Sequence, residues 1–102
     1  MLLVETPTFT RQITGLISDD EYAEFQSQLV ADPKAGDVIP GSGGLRKLRW
    51  SRTGHGKRGG IRVIYFAAIE ERIYLLAAYA KSDREDLTIT QLKALRRLIE
   101  GN

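Results

Sequence analysis

Three β-strand patterns follow one another in the second half of the chain, and this succession most constrains the fold. Residues 45–51 alternate apolar and basic side chains, residues 60–66 are rich in β-branched and aromatic residues, and residues 72–81 form a longer apolar run. Period-two alternation and β-branched or aromatic residues are typical of strands. The connection over residues 69–72 is short enough for a hairpin. We therefore expect these three strands to form a mostly antiparallel sheet.

Helical patterns lie on both sides of these strands. Thr8 is placed to cap a short first helix. Ser18 and Glu21 have the spacing of a capping box for a second helix, and Thr88 and Gln91 have the same spacing before a final one. We expect two helices before the three strands and one after them.

The predicted order of elements is β-α-α-β-β-β-α. It takes the apolar residues 2–5 as a first strand and the glycine-rich segment 36–44 (GDVIPGSGG) as a loop. Helices packed against a mostly antiparallel sheet define an α+β domain. A chain of 102 residues with 42% hydrophobic residues suits one compact domain, so residues 1–102 are treated as a single unit.

Composition excludes several classes of protein. The chain contains no cysteine, so disulfides and thiolate metal sites are absent. No apolar run approaches the roughly 20 residues of a membrane span, and the first residues lack the basic start and apolar stretch of a signal peptide. We expect a cytoplasmic protein that does not contact a membrane.

Positive charge is concentrated in one short segment. The net charge is only +2, but residues 46–62 hold seven basic and no acidic residues. Residues 1–45 hold two basic and seven acidic residues. A focused basic patch attracts polyanions, of which nucleic acid is the commonest. The alternative is an ordinary solvated charge run.

Alternation along the strands predicts where these basic residues point. Lys47 and Arg49 share one face, and Arg46 lies on the other. Lys81 is expected to continue a row formed by Ile73, Leu75, Ala77 and Tyr79. Neighbouring strands would then gather the strand-borne basic residues at one end of the sheet, beside the loop residues Arg52, His55, Lys57 and Arg58.

Such a cluster can cut RNA without a metal or another cofactor. The 2′-hydroxyl attacks the adjacent phosphate through a transition state with increased negative charge, which an arginine can stabilise bidentately. A lysine among arginines has its charged form disfavoured, which suits proton transfer. His55 has no partner at metal-ligand spacing and is interpreted as a loop residue or an acid–base group. Trp50 either stacks on a base or belongs to the core.

Four linked motifs resemble those of the RelE/HigB-like toxins. They are G-x-x-G-x-R-K-x-R from Gly41, G-x-G-K-x-G-G-x-R-V-I-Y from Gly54, L-x-x-Y-x-K from Leu76 and D-L-T from Asp86. The match covers roughly residues 32–100. The linked set is specific, although no single piece is.

The resemblance implies a microbial-RNase-like fold: an N-terminal strand and two helices, a three-stranded mostly antiparallel continuation of the sheet, and a C-terminal helix. It also implies cleavage of messenger RNA in the ribosomal A site. Lys57, Arg62 and Lys81 match the family's basic catalytic positions, and Arg49 is a fourth candidate. RNA-binding roles are expected for Arg46, Lys47, Arg52, His55 and Arg58.

The same resemblance implies neutralisation by a cognate antitoxin, expected to be a helix-turn-helix protein. DNA would then be contacted only through that antitoxin, while the ribosome and messenger RNA would be direct partners. The alternative is a non-catalytic RNA-binding or antitoxin-binding module that retains the fold.

Overall fold

The computed structural model describes residues 1–51, 60–68 and 70–100. The helices are α1 (Pro7–Thr14), α2 (Asp19–Ala31) and α3 (Ile89–Glu100). The strands are β1 (Leu2–Glu5), β2 (Asp37–Val38), β3 (Arg46–Trp50), β4 (Ile61–Ala67) and β5 (Arg72–Ala80). The predicted α+β class is confirmed. The short strand β2 lies in the segment predicted as a loop, because two residues paired with the start of β3 are too few to leave a strand pattern.

The five strands form one mixed sheet in the order β1-β5-β4-β3-β2. β1 runs parallel to β5, and the other neighbouring pairs are antiparallel. The predicted hairpin between the last two strands is therefore confirmed. Because β3, β4 and β5 are neighbours, side chains on them can meet across the sheet.

A hydrophobic core lies on each face of the sheet. On one face, Phe9 and Ile13 of α1 and Phe25 and Leu29 of α2 pack against the strands. On the other face, α3 packs through Leu92, its most buried residue. The described part of the chain contains no helix with the length and apolar character needed to cross a membrane.

A β-bulge in β5 changes which side chains share a face. Ile64 pairs with Ala77, whereas Tyr65 pairs with Leu75, so one additional residue of β5 lies between the two pairs. Such a residue shifts the alternation, and the side chains beyond it change face. Ile73 and Leu75 lie in the core under α1 and α2, whereas Ala77 and Tyr79 lie in the core under α3. The prediction that these four residues form one continuous row on a single face is therefore wrong.

The helix caps agree with the sequence in two of three cases. The capping boxes of Ser18 before α2 and Thr88 before α3 are confirmed. The prediction for α1 is wrong, because Thr6 rather than Thr8 is the cap, and its Oγ1 accepts the Phe9 N–H at 3.2 Å. Pro7 explains the difference, since its fixed φ favours the first helical position and leaves the preceding residue as the cap.

Candidate functional site

Arg49, Arg62 and Tyr79 form a row across three neighbouring strands on the α3 face of the sheet. Arg49 lies opposite Arg62, and Arg62 lies opposite Tyr79. Arg49 is exposed, while Arg62 and Tyr79 keep only 6% and 8% of their surface exposed. A sheet restricts the movement of its side chains more than a loop does. Arg62 therefore lies between a second cation and a phenol in the register of the sheet, and its Nη1 donates to the carbonyl of Ile61 at 3.4 Å.

Lys47 lies on the same face, two residues before Arg49, and binds the carboxylate of Asp86. The distance from Lys47 Nζ to Asp86 Oδ1 is 2.5 Å. The hydrogen bond and charge of Lys47 lower the pKa of Asp86, and the positive charges of Arg49 and Arg62 lower it further. Asp86, in the segment that leads into α3, is therefore ionised at neutral pH and lies within the field of these three cations.

Tyr79 supplies a neutral hydroxyl at the other end of the row. Burial raises the pKa of Tyr79 and the negative charge of Asp86 raises it further, while Arg62 and Arg84 oppose this shift. The phenol therefore stays protonated at neutral pH. Its hydroxyl donates to the carbonyl of Glu85 at 3.4 Å, a long contact that a ligand can replace.

A cleft of about 410 Å³ lies beside the row, between β3 and the start of α3. We call it the basic cleft. Its polar lining includes the cations Lys47 and Arg49, the phenol of Tyr79 and the carboxylates of Asp37 and Asp86. Its apolar lining includes Ile64, Leu87 and Leu92. Cations beside an apolar wall can bind the phosphate and the base of a nucleotide together.

A family model described as "RelE toxin of RelE / RelB toxin-antitoxin system" matches residues 6–101. The chain belongs to the RelE toxin family. This membership confirms the resemblance expected from the four motifs. It also implies that this RelE-family toxin has a cognate antitoxin as its partner.

Three of the four residues expected to be catalytic in this RelE-family toxin lie in the described part of the chain. Arg49 and Arg62 are direct neighbours in the row. Lys81 follows β5 and is exposed, and its N–H donates to the carbonyl of Gly60 at 3.0 Å. Lys81 is therefore at the same end of the sheet as the two arginines. Lys57 lies outside the described residues.

The expected RNA-binding residues separate into three groups. Lys47 joins the basic cleft, whereas Arg46 lies on the opposite face of β3. The Nη1 of Arg46 donates to the carbonyl of Gly36 at 2.7 Å and to that of Lys34 at 3.3 Å, so it holds the connection after α2. The structure therefore does not bring Arg46 together with the other cations. The remaining three lie outside the described residues: Arg52, His55 and Arg58.

Trp50 packs against the core rather than beside the basic cleft. Its ring lies 5.4 Å from that of Phe25, edge to face. Leu48 shares this face and contacts the same core. Of the two interpretations of Trp50, the structure favours the core residue, and base stacking has no geometric support.

Tyr79 and Asp86 are site residues that the predicted catalytic and RNA-binding sets do not include. The sequence pattern favours a core or sheet-face position for Tyr79. It favours a charged turn and helix start for Asp86, as one of three acidic residues of which one could orient Lys81 or Arg62. Both belong to the quoted motifs, Tyr79 two residues before Lys81 and Asp86 in D-L-T. Their presence in these motifs is the one sequence feature that could have marked them as functional. The sequence does not show that they line the same cleft, because only the fold brings them together.

The assembled groups suit chemistry at a phosphate. Arg49 and Arg62 can stabilise developing negative charge, and the Tyr79 hydroxyl can donate a hydrogen bond. Within residues 1–51, 60–68 and 70–100, no three His, Cys, Asp or Glu side chains are grouped as metal ligands would be. The functional groups that the structure brings together are cations, a phenol and the carboxylate of Asp86.

Proposed function

We propose that this RelE-family toxin is a ribosome-dependent endoribonuclease that inhibits translation by cleaving messenger RNA in the A site. The observation that supports this proposal most is the position of Arg62. Arg62 is only 6% exposed and lies between Arg49 and Tyr79 in the register of the sheet, and both of these neighbours line the cleft of about 410 Å³. An arginine held in this way has little freedom to lose when it binds a phosphate.

The proposed reaction is an internal transfer at phosphorus. The 2′-oxygen attacks the adjacent phosphorus, the bond to the 5′-oxygen breaks, and a 2′,3′-cyclic phosphate remains on the upstream product. One proton leaves the 2′-hydroxyl and one reaches the departing 5′-oxygen. Arg62 clamps the scissile phosphate and Arg49 stabilises its added charge. Lys57 and Lys81 transfer the protons or stabilise charge.

Binding of the RNA strand is assigned to the cations around this centre. Lys47 and Arg49 line the basic cleft and contact phosphates there. Arg52, His55 and Arg58 extend the contacts to ribosomal and messenger RNA. The reaction uses no cofactor and takes place in the cytoplasm, where translating ribosomes are present. Contact with DNA occurs only through the antitoxin.

The proposal is tested by single-turnover cleavage of messenger RNA on programmed ribosomes at saturating concentration. Arg62→Gln keeps much of the side-chain volume but removes the charge, and we expect the rate to fall on the order of a hundred- to thousandfold. The matched control is Arg11→Gln, because Arg11 is an exposed arginine of α1 whose side chain hydrogen-bonds only to Thr8 among the described residues. An Arg62→Gln protein that melts like the parent and cuts within a few-fold of its rate would contradict the assignment.

A further inference from the structure

The carboxylates of Asp37 and Asp86 both line the basic cleft, and that of Asp86 binds one of its cations. Asp86 Oδ1 is 2.5 Å from Lys47 Nζ, and the two side chains are 62% and 21% exposed. Arg49 and Tyr79 line the same cleft. A carboxylate oxygen at hydrogen-bond distance from an ammonium group occupies a position that a phosphate oxygen can also take. Asp86 and a phosphate therefore offer Lys47 the same kind of ligand oxygen.

The contact is weak enough to exchange. An ion pair between partly exposed side chains contributes little to stability, because water screens the charges and two long side chains lose freedom. Asp86 also lies in the segment between β5 and α3, outside any helix or strand. Movement of its carboxylate therefore does not require a strand or a helix to break.

We propose that Asp86 is a displaceable counter-ion of the basic cleft, and that its carboxylate holds Lys47 until a phosphate of single-stranded RNA replaces it. This inference rests on the proposed function. The bound carboxylate lowers the affinity for free RNA, because each incoming phosphate must displace it and is repelled by it. A strand presented by the ribosome is at high local concentration and overcomes this barrier. Asp86 is thus a specificity-determining residue that favours ribosome-bound over free RNA.

The test measures binding of a single-stranded RNA whose 2′-hydroxyls are methylated, so that it cannot be cut. Asp86→Asn keeps the shape of the side chain and removes its charge. We expect it to bind this RNA about two- to tenfold more tightly than the parent at low salt. The log–log salt slope should steepen by about 0.7 if one further phosphate contact forms.

Two control variants show whether a gain in RNA affinity comes from the release of Lys47 or from a general change in charge. Asp83→Asn removes an exposed carboxylate from the same segment, and Asp83 has no ion pair among the described residues. It should bind within about twofold of the parent, since general charge effects at one surface site are small. In a Lys47→Gln background, Asp86→Asn should produce a smaller gain, because the cation that it releases is missing.

The results separate this inference from the proposed function. Unchanged or weaker RNA binding by Asp86→Asn, or a gain equal to that of Asp83→Asn, overturns the counter-ion role even if the parent cuts messenger RNA on ribosomes. Tighter binding by Asp86→Asn supports the role even if no cleavage occurs, in which case only the proposed function fails. No binding of this RNA by any of the proteins, Asp86→Asn included, overturns the counter-ion role, whereas the proposed function is decided by the cleavage assay on ribosomes.

Discussion

Arg49 and Arg62 lie directly opposite each other on the neighbouring strands β3 and β4. Like charges at opposite positions of an antiparallel pair destabilise a sheet. The unfavourable pairing is increased by the burial of Arg62, which is 6% exposed. A pairing that lowers stability yet concentrates charge beside a cleft is typical of a functional site.

Replacing Arg49 should therefore raise stability and lower activity. We expect Arg49→Thr to increase the free energy of unfolding by roughly 0.2–1 kcal/mol, while cleavage on ribosomes falls. The measurement is urea unfolding together with single-turnover cleavage. Arg72→Thr is the control, since Arg72 is also exposed on a strand but pairs with Leu2 in β1 rather than with a cation. Loss of stability in Arg49→Thr would show that the two guanidinium groups do not repel each other significantly.

A charge-preserving change at Arg62 separates an enzyme from a binding module. Arg62→Lys keeps the charge but loses the bidentate geometry. We expect binding of uncleavable RNA to stay within about threefold, while the cleavage rate falls on the order of tenfold or more. Equal and small effects on both quantities would favour the non-catalytic alternative. Thermal melts are needed alongside, because this side chain is largely buried.

Binding to ribosomes or to RNA should weaken steeply with salt. Lys47, Arg49 and Arg62 are together on one face, and each phosphate that they neutralise releases counter-ions. For single-stranded RNA the log–log slope should change by about −0.7 per phosphate contact. Filter binding or fluorescence anisotropy over a salt series measures this slope. A slope near zero would remove the electrostatic basis of the proposal.

Expression of the toxin alone should stop bacterial growth and protein synthesis. The physical reason is that the proposed cleavage of messenger RNA in the A site would remove the template of translation. Co-expression of the cognate antitoxin should restore growth, and Arg62→Gln at the same soluble level should permit it without antitoxin. Pulse labelling of new protein provides the measurement. Normal growth with confirmed soluble parent protein would count heavily against the toxin activity.

Tyr65 gives a prediction that concerns the fold alone. Its buried hydroxyl accepts the Gly36 N–H at 2.9 Å and donates to the Pro33 carbonyl at 2.8 Å. Tyr65→Phe leaves both groups without this partner and should lower the free energy of unfolding by roughly 1–3 kcal/mol. Urea unfolding measures the change. Tyr74→Phe is the control, because the described residues give the half-buried Tyr74 no hydrogen bond; an equal loss there would exclude a specific role of the Tyr65 hydroxyl.

The sequence predicted the parts of the site that depend on local pattern. Alternation placed Lys47 and Arg49 on one face of β3 and Arg46 on the other, as the structure shows. Alternation gives the face of a side chain but not the register between strands, so it could not show that Arg49 and Arg62 are opposite each other.

The features that were missed depend on irregularity or on distance along the chain. The bulge in β5 inserts one residue without a composition signal, and it moves Tyr79 to the face of Arg62. Lys47 and Asp86 are separated by 39 residues, and only the packing of α3 brings them together. Local patterns contain no information on such contacts, so the ion pair could not be predicted.

The parallel pairing of β1 with β5 has a consequence for synthesis. β1 is made first, yet its partner residues, from Arg72 to Leu75, are made only after β2, β3 and β4. Non-local pairings of this kind form late, because the intervening chain must be present first. The strand that completes the core on the α1 side also provides Tyr79 at the end of the row. A growing chain therefore acquires the core on the α1 side and the row of Arg49, Arg62 and Tyr79 at nearly the same moment, and the cleft beside this row is completed only when α3 follows.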